Sequence, residues 1–368
     1  MKYLEEYRDR ALVEKYLDKI HHTVTKPWNI MEICGGQTHS LVKNGIVEML
    51  PHKVKMIHGP GCPVCVTPVH LIDHAIALSH EDQVILCSFG DMLRVPGSSG
   101  SLLEAKAQGA DVRIMYSPLD ALQLARKHPE KEVVFFAVGF ETTAPAIALS
   151  VIRAAHAHIE NYSLLTSHVL VPPAVKAILE EDDHVINALL AAGHVCTIMG
   201  LEEYYPLSGT YQIPIVATGF EPVDLVQGIL MAVVQLEKGI AQVENQYARM
   251  VQREGNRIAQ DVINSVFQVT DQHWRGIGKI PSSGLMLRDT FAQHDAQRKF
   301  ALQSHPPLKD TGDCIAGLVL KGVKKPMDCP MFGHTCTPEN PLGAPMVSSE
   351  GACAAYYHFS GFSESLAE

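Results

Sequence analysis

The chain has 368 residues, a net charge of −10, and 46% hydrophobic against 19% charged residues. That length is enough for two or three domains with buried cores, and the composition is typical of globular proteins. There is no long basic run to indicate a nucleic-acid interface, and no apolar stretch reaches the roughly 20 residues that a membrane-spanning helix needs. The first residues alternate charged and apolar side chains at helical spacing and lack the apolar core of a signal peptide. We therefore expect an N-terminal helix over 1–25 and a cytoplasmic protein.

Short apolar runs rich in β-branched residues recur through the first 220 residues and predict buried strands. The eight runs are NIMEIC at 29–34, VKMIHG at 54–59, QVILCSF at 83–89, DVRIMYS at 111–117, EVVFFAVGF at 132–140, LLTSHVLV at 164–171, HVCTIMG at 194–200 and IPIVATGF at 213–220. Helical patterns such as APAIALSVIRAAHAHIE and HVINALLAA lie between most of them. This alternation favours a parallel α/β architecture.

Eight strands are many for one sheet, so we expect two Rossmann-like, parallel-sheet domains of four strands each, over 26–120 and 121–225. A helical pattern from Asp224 to Val251 predicts a long linker helix. It leads into a smaller, mostly helical and irregular domain that completes the region 226–345. The final stretch, 346–368, contains SSEGACAAYYHFSGF and predicts a short helix that returns to the body of the protein.

The first of three cysteine motifs is CGGQTH at 34–39, which directly follows the first predicted strand. The carboxyl ends of parallel strands are where α/β proteins place their sites, and two glycines let a bound group approach the backbone. N–H groups at the start of the following helix favour anions and lower the pKa of a nearby thiol. A buried structural cysteine beside a tight turn is the alternative. The polar residues after Cys34 favour function, and His39 is a candidate catalytic residue.

The second motif is GPGCPVCVTP at 59–68, in which two residues separate Cys62 from Cys65. Thiols at this spacing can close a disulfide or share a metal ion, so redox chemistry and half of a zinc site are both open. No second pair follows at the spacing of a zinc finger, which favours redox or shared metal use.

The third motif comprises four late cysteines spaced C-x14-C-x6-C-x16-C, namely Cys314, Cys329, Cys336 and Cys353. Four thiolates match the ligand set of a [4Fe–4S] cluster, although the spacing also permits structural zinc or two disulfides. Reducing cytosol disfavours disulfides, and the surrounding prolines suit a rigid loop around a metal. We therefore favour iron–sulfur ligation. The two remaining cysteines, Cys87 and Cys196, lie in apolar runs and are expected in the core.

A further polar segment, GFETTAP at 139–145, lies at another predicted strand-to-helix junction. Its carboxylate and hydroxyls could line the same cleft as the residues after Cys34, or could simply cap the following helix. The candidate cleft-lining residues are Gly35, Gly36, Gln37, Thr38, Glu141, Thr142 and Thr143.

Taken in order, these motifs resemble the HypD family of [NiFe]-hydrogenase maturation factors. The resemblance is carried by CGGQTH, GPGCPVCVTP, GFETTAP, TGFEP and the four late cysteines, and it spans about residues 25–360. It implies two α/β domains and a cluster domain. Gln37 is His in some family members, so a proton-transfer role for a histidine at that position could not apply here.

The resemblance implies an assembly scaffold with redox activity rather than a conventional turnover enzyme. It would act with HypC, a small iron-sharing partner, and receive cyanide from HypE, and the hydrogenase large subunit would be reached through HypC. Cys34 would hold an Fe(II) ion that gains two cyanides and one carbon monoxide. Cys62 and Cys65 would be a dithiol–disulfide pair, and the ligands of the [4Fe–4S] cluster would be Cys314, Cys329, Cys336 and Cys353. A stand-alone iron–sulfur thiol–disulfide oxidoreductase and a structural zinc-binding interaction module stay open as alternatives.

Moving cyanide from a thiocyanate to iron is formally reductive, which leads to the hypothesis that electrons pass from the cluster through Cys62 and Cys65 to the iron at Cys34. The substitution Cys62→Ala is then expected to leave the visible absorption of the cluster intact. Infrared spectra of the complex should lack cyanide bands. Cyanide bands of normal intensity in this variant would contradict the relay.

Overall fold

The computed structural model describes residues 5–182, 184–302 and 314–360. It contains two mostly parallel sheets flanked by helices, which confirms the predicted α/β fold class. The strands are β1 (Trp28–Glu32), β2 (Val54–His58), β3 (Val84–Ser88), β4 (Val112–Ile114), β5 (Glu132–Gly139), β6 (Tyr162–Val169), β7 (Ala188–Ala192), β8 (Ile215–Thr218), β9 (Val243–Asn245), β10 (Phe267–Trp274) and β11 (Gly278–Leu287).

Helices connect and cover these strands. The α-helices are α1 (Arg10–Thr23), α2 (Gly35–Lys43), α3 (Ile46–Met49), α4 (Pro63–Val66), α5 (Val69–Ser79), α6 (Leu102–Ala107), α7 (Pro118–Lys127), α8 (Ala144–His156), α9 (Val171–Leu179), α10 (Gly193–Met199), α11 (Tyr204–Tyr211), α12 (Pro222–Lys238), α13 (Arg257–Val266), α14 (Ala296–Lys299), α15 (Ala316–Leu320) and α16 (Ala352–Phe359). Short 3-10 helices span Glu5–Arg8, Gly90–Arg94, Asp289–His294, Pro326–Asp328 and Ala344–Met346. Within the described ranges, no helix has both the length and the apolar character needed to cross a membrane.

The first sheet has the strand order β2-β1-β7-β8-β9, and each neighbouring pair is parallel. Ile30 on the central strand β1 lies opposite Met56 on β2 and Ala188 on β7. All three side chains are buried, in a core that α1 and α12 complete on one face of the sheet. Burial on both faces explains why these strands are continuous apolar runs instead of alternating ones.

The second sheet has the order β10-β11-β6-β5-β3-β4. Its strands β3 to β6 pair in parallel, whereas the hairpin β10–β11 runs antiparallel to β6. This hairpin lies in a region where the sequence showed few strand signals, because its residues alternate between half-buried and exposed positions, with few continuous apolar runs.

The two sheets group the strands differently from the expected division at residue 120. After β2 the chain leaves the first sheet, forms β3 to β6 in the second, returns for β7 to β9, and ends with β10 and β11 in the second. The crossing segments are ordinary strand-to-helix connections, so local sequence does not distinguish them from connections within one sheet. Each sheet is therefore assembled from separate stretches of the chain.

One predicted strand and the end of one predicted helix are wrong. The run at 194–200 lies in α10, and the strand is the preceding Ala188–Ala192, which the sequence placed in a helical pattern. Alanine and leucine favour helices, but this segment is buried on both faces between β1 and β8, and tertiary packing overrides propensity. The helix predicted from Asp224 ends at Lys238, where Gly239 adopts a left-handed conformation with φ of 66°.

A buried ion pair fixes the start of α12 to the segment after β9. Arg249 donates to both oxygens of Asp224, at 2.7 and 2.6 Å, and the Asp224 side chain is fully buried. The guanidinium of Arg249 also lies over the ring of Tyr7, at 3.6 Å from its centroid, and over the ring of Tyr247, at 4.4 Å. One side chain thus joins the N-terminal segment, α12 and the chain after β9.

Arg249→Ala should lower the free energy of unfolding by about 3 kcal/mol, because it leaves the buried carboxylate of Asp224 without its partner. The control is Arg253→Ala, which breaks an ion pair with Glu202 in which both side chains are more than half exposed. That change should cost less than about 1 kcal/mol. Denaturant unfolding of both variants measures the difference, and equal losses would show that the buried pair has no special role.

Candidate functional site

A cleft of about 840 Å³ lies where the carboxyl ends of both sheets meet. Its walls include residues that directly follow strands of the first sheet, among them Gly61, His194 and Phe220. Phe89 and Phe140 follow strands of the second sheet and line the same cleft. The cleft therefore occupies the position at which parallel α/β proteins bind ligands.

Cys34 is buried at the junction between β1 and α2, where it is the residue that caps the helix. The N–H of Gly35 donates to the carbonyl of Gly61 at 2.9 Å. A side chain on Gly61 would overlap the backbone of Ile33 and Cys34, so only glycine permits this contact. A side chain on Gly36 would lie 3.7 Å from the Cys34 sulfur and 3.3 Å from Phe220. Gly36 itself lines the cleft, whereas the buried Cys34 lies behind it and is not part of the cleft wall.

The imidazole of His194 lies next to the Cys34 thiol. The Cys34 sulfur lies 3.8 Å from Nδ1 and 3.9 Å from Nε2 of this imidazole. Burial, followed by the charge of Glu350, raises the pKa of the Cys34 thiol to about 12, although the backbone N–H groups of Gln37 and Gly36 act in the opposite direction. Burial also lowers the pKa of His194 to about 4. The expected lowering of the Cys34 pKa at a helix start is thus outweighed by desolvation.

His194 was not singled out from the sequence. It directly follows Gly193 at the carboxyl end of β7, the strand that the sequence analysis had assigned to a helix. The sequence signal was a polar residue, His194, close after the apolar run ALLAA. That signal is visible only if ALLAA is recognised as a strand.

The polar residues that follow Cys34 make contacts of different kinds. The buried Gln37 amide donates to Thr218 Oγ1 at 2.6 Å and to the Ala191 carbonyl at 3.2 Å, which ties α2 to β7 and β8. The contacts of His39 are with the C-terminal segment, because its Nδ1 lies 3.0 Å from the Ser349 carbonyl and its ring packs edge-on against Phe359. Of the predicted cleft-lining residues, Gly36, Thr142 and Thr143 line the cleft.

A buried polar chain connects the strand that carries Cys34 to the C-terminal helix. The Glu32 carboxylate pairs with Nδ1 of His58 and accepts a 2.6 Å hydrogen bond from the Thr38 hydroxyl. His58 Nε2 lies 2.7 Å from the hydroxyl of Tyr356 on α16. All four side chains are buried, and their hydrogen bonds join β1, α2, β2 and α16, although Oε2 of Glu32 has no hydrogen-bond partner in the described residues.

Cys62 and Cys65 form a disulfide at the start of α4. Both sulfur-bearing residues are buried, whereas Pro63 and Val64 between them line the cleft. The Cys65 sulfur lies 3.9 Å from the carbonyl of Ala344. The pair therefore lies between the cleft and the C-terminal segment.

The four late cysteines line a single small cavity of about 20 Å³, together with apolar side chains such as Phe332 and Met346. A side chain on Gly343 would lie 2.5 Å from the Cys314 sulfur, so glycine leaves room for this thiol. Burial and then the neighbouring cysteines raise the pKa of Cys353, which shows that thiolates here would repel one another without a cation. In the parts of the chain that are described, no three His, Cys, Asp or Glu side chains stand arranged around a single metal ion. The donor set of four thiols around one cavity fits a multi-iron cluster.

One short segment separates the disulfide from this cavity. Ala344 contacts Cys65 through its carbonyl, while the next residues, Pro345 and Met346, line the four-cysteine cavity. The second and third cysteine motifs, which are distant in sequence, are therefore neighbours in the fold.

The polar residues of the segment GFETTAP lie in two different places. Glu141 is buried, and Thr142 and Thr143 line the cleft. The Glu141 carboxyl is buried and accepts a 2.8 Å hydrogen bond from the N–H of Val171 at the start of α9. Burial raises its pKa to about 8. Thr142 and Thr143 face the cleft, and Thr143 Oγ1 lies 3.0 Å from Nε2 of His168.

Comparison with known proteins shows similarity along the whole chain. A sequence model of HypD, described as the hydrogenase formation hypA family, matches residues 11–360. The hydrogenase maturation factor HypD of Cupriavidus necator is 45% identical, over 99% of this chain and 98% of its own length. The protein of the same name from Escherichia coli K12 is 44% identical over 98% of both chains. The hydrogenase expression/formation protein HupD of Azotobacter chroococcum is 46% identical over 98% of this chain and 97% of its own.

The raised pKa of Glu141 predicts a loss of stability as the pH rises. The unfolded chain releases this proton near the ordinary pKa of 4.5, whereas the folded protein keeps it until about pH 8, so the free energy of unfolding falls across that window. Glu141→Gln retains an acceptor for the Val171 N–H and cannot ionise. Its stability relative to the unsubstituted protein should rise by a few kcal/mol between pH 5 and pH 8. Denaturant midpoints at both pH values measure this, and a constant difference would show that Glu141 is ionised in the folded state.

Proposed function

The chain belongs to the HypD family of hydrogenase maturation factors, and on that premise we propose that it is the scaffold on which an Fe(CN)2CO group is assembled. The observation that supports this most directly is the position of the Cys34 thiol, buried at the carboxyl end of a parallel strand and next to Gly36, which lines a cleft of about 840 Å³. In the proposal, Cys34 is the iron ligand that this chain contributes.

The surroundings of Cys34 suit a metal ligand better than a free nucleophile. Burial keeps the Cys34 thiol protonated. The thiol therefore releases its proton when a metal cation binds to the sulfur. The neutral imidazole of His194, 3.8 Å away, is a hydrogen-bonding neighbour of the sulfur. An Fe(II) ion with two cyanides and two thiolates carries net negative charge, and the backbone N–H groups of Gly36 and Gln37 favour that charge. Thiolate also suits the soft, electron-rich iron that binds cyanide and carbon monoxide.

The partners in this proposal complete the site from outside. HypC would enter the cleft and supply the second thiolate to the iron, and HypE would deliver each cyanide as a thiocyanate. The finished group would reach the hydrogenase large subunit through HypC, in the cytoplasm. The volume of the cleft supports this arrangement, because the cleft is lined by Gly36, the neighbour of Cys34, and has room for an iron group and a segment of another protein.

The Cys62–Cys65 pair can supply the electrons that cyanide transfer requires. One thiocyanate, the two thiols and Fe(II) yield a thiol on the donor, a disulfide, one iron-bound cyanide and one released proton. The two electrons that cleave the S–CN bond come from the dithiol, which becomes the disulfide. The disulfide in the structure corresponds to the state after such a transfer. A second cyanide requires that the pair be reduced again.

The four thiols around this cavity are the donor set of the resident cofactor that this chemistry needs. Cys314, Cys329, Cys336 and Cys353 would hold a [4Fe–4S] cluster, which when bound would supply one-electron redox chemistry at that place. The chain itself positions the cavity beside the disulfide through Ala344 to Met346. Cys336 is buried, the other three cysteines are partly buried, and the apolar walls of the cavity limit the access of water to the thiols.

The burial of the disulfide also separates this proposal from a stand-alone oxidoreductase. A protein disulfide must meet an attacking thiolate in line with its own sulfur atoms, which requires an accessible thiol. Cys62 is 3% exposed and Cys65 is 1% exposed. Pro63 and Val64, between the two cysteines, line the cleft, so the pair itself lies behind the cleft wall.

The test is Cys34→Ala in a complex purified anaerobically with HypC. Iron-bound cyanide and carbon monoxide bands should disappear from its infrared spectrum, while the visible absorption of the cluster should remain. Cys196→Ala is the matched control, because Cys196 is also buried and lies two residues from His194 without facing the cleft. It should show bands of full intensity. Cyanide bands of full intensity in Cys34→Ala would refute the assignment of this thiol as the iron ligand.

A further inference from the structure

A polar pair, Thr143 and His168, lies in the cleft wall that belongs to the second sheet. Thr143 lines the cleft, and its Oγ1 lies 3.0 Å from Nε2 of His168. His168 lies on β6 with no exposed surface, and its ring stacks on Phe267 of the hairpin with 6.1 Å between ring centroids. Phe267 therefore packs against one face of the imidazole, and Thr143 lies between the ring and the cleft.

The local backbone is shaped around this pair. Gly139 ends β5, and a side chain there would overlap Thr143 Oγ1 and lie 2.9 Å from His168 Nε2. Its φ is not left-handed, so the requirement for glycine at this position is one of space alone. The absence of this side chain is what allows the hydroxyl and the imidazole to meet.

One neutral tautomer of His168 makes the Thr143 hydroxyl a donor toward the cleft. Burial lowers the pKa of His168 to about 4, so the ring is neutral at physiological pH and carries one proton. In the tautomer that carries its proton on Nε2, this proton faces Thr143. The Thr143 hydroxyl then accepts from His168, and its own hydrogen can turn to the Phe140 carbonyl at 3.2 Å or into the cleft.

We propose that His168 orients the Thr143 hydroxyl to donate a hydrogen bond to the nitrogen of an iron-bound cyanide. This inference rests on the function proposed above and identifies residues that recognise the ligands of the iron. Cyanide nitrogen on iron is a good hydrogen-bond acceptor, whereas the oxygen of bound carbon monoxide is a poor one. The carboxylates of Asp91 and Glu350 line the same cleft but cannot donate when ionised. His168 acts as a positioning residue through Thr143.

The experiment compares Thr143→Val with Thr142→Val in complexes purified anaerobically with HypC. A hydrogen bond to the nitrogen raises the cyanide stretching frequency, so its loss in Thr143→Val should move a cyanide band to lower wavenumber and move the carbon monoxide band less. The iron group should also dissociate about tenfold faster. Thr142 faces the same cleft from the neighbouring position, and Thr142→Val should leave the bands in place. Thr143→Ser keeps the hydroxyl and should restore the original spectrum.

A second variant keeps the test decisive if Thr143→Val disturbs folding. His168→Phe removes both ring nitrogens but retains an aromatic ring against Phe267, and it should produce the same cyanide shift as Thr143→Val. Unchanged cyanide bands in either variant, or an equal shift in Thr142→Val, would overturn the inference. If the unsubstituted complex showed no cyanide bands, the proposed function itself would fail, and that outcome is distinct from unshifted bands.

Discussion

The close contact between Gly61 and the backbone of Cys34 is the constraint on which the site depends. The strands that precede them, β1 and β2, are parallel neighbours, and the N–H of Gly59 donates to the Glu32 carbonyl at 2.9 Å beyond the last paired residues. The two strands therefore end at the same level, and the turns that follow them pack directly together. Because Gly61 has no side chain, the turn after β2 packs directly against the backbone of Cys34. The segment that carries Cys34 and the segment that leads into Cys62 and Cys65 are therefore in contact. Any residue larger than glycine at 61 would push one motif away from the other.

The interleaved path of the chain adds a second constraint. Each sheet contains strands from both early and late parts of the sequence, so neither sheet can form from one continuous stretch. The cleft between their carboxyl edges is consequently built from turns that are far apart along the chain. The segment Ala344–Met346 adds the C-terminal region to the same assembly, between Cys65 and the four-cysteine cavity. A site of this kind is formed by the completed fold rather than by any local motif.

Much of the architecture could be predicted from the sequence where the signal is local. Seven of the eight predicted runs contain strands, because continuous burial on both faces leaves an apolar run that needs no knowledge of its neighbours. The four late cysteines were predicted as one set, and the structure brings them around one cavity. The strand at Ala188–Ala192 was missed because its composition favours a helix, and His194 was missed with it. Which strands are neighbours depends on long-range packing, so the grouping into sheets could not be derived from the spacing of the runs.

The buried chain from Glu32 through His58 to Tyr356 couples the stability of the Cys34 region to that of the four-cysteine cavity. Helix α16 carries Cys353 at one turn and Tyr356 at the next, so ordering this helix orders a cavity-lining thiol and the far end of the polar chain together. Ligand binding that stabilises a folded element lowers the population of every state in which that element is displaced. Occupation of the four-cysteine cavity would thus also stabilise the end of β1, two residues before Cys34. Loading of the cluster proposed above would then be a maturation step of this protein itself, and it would precede and prepare its capacity to mature another.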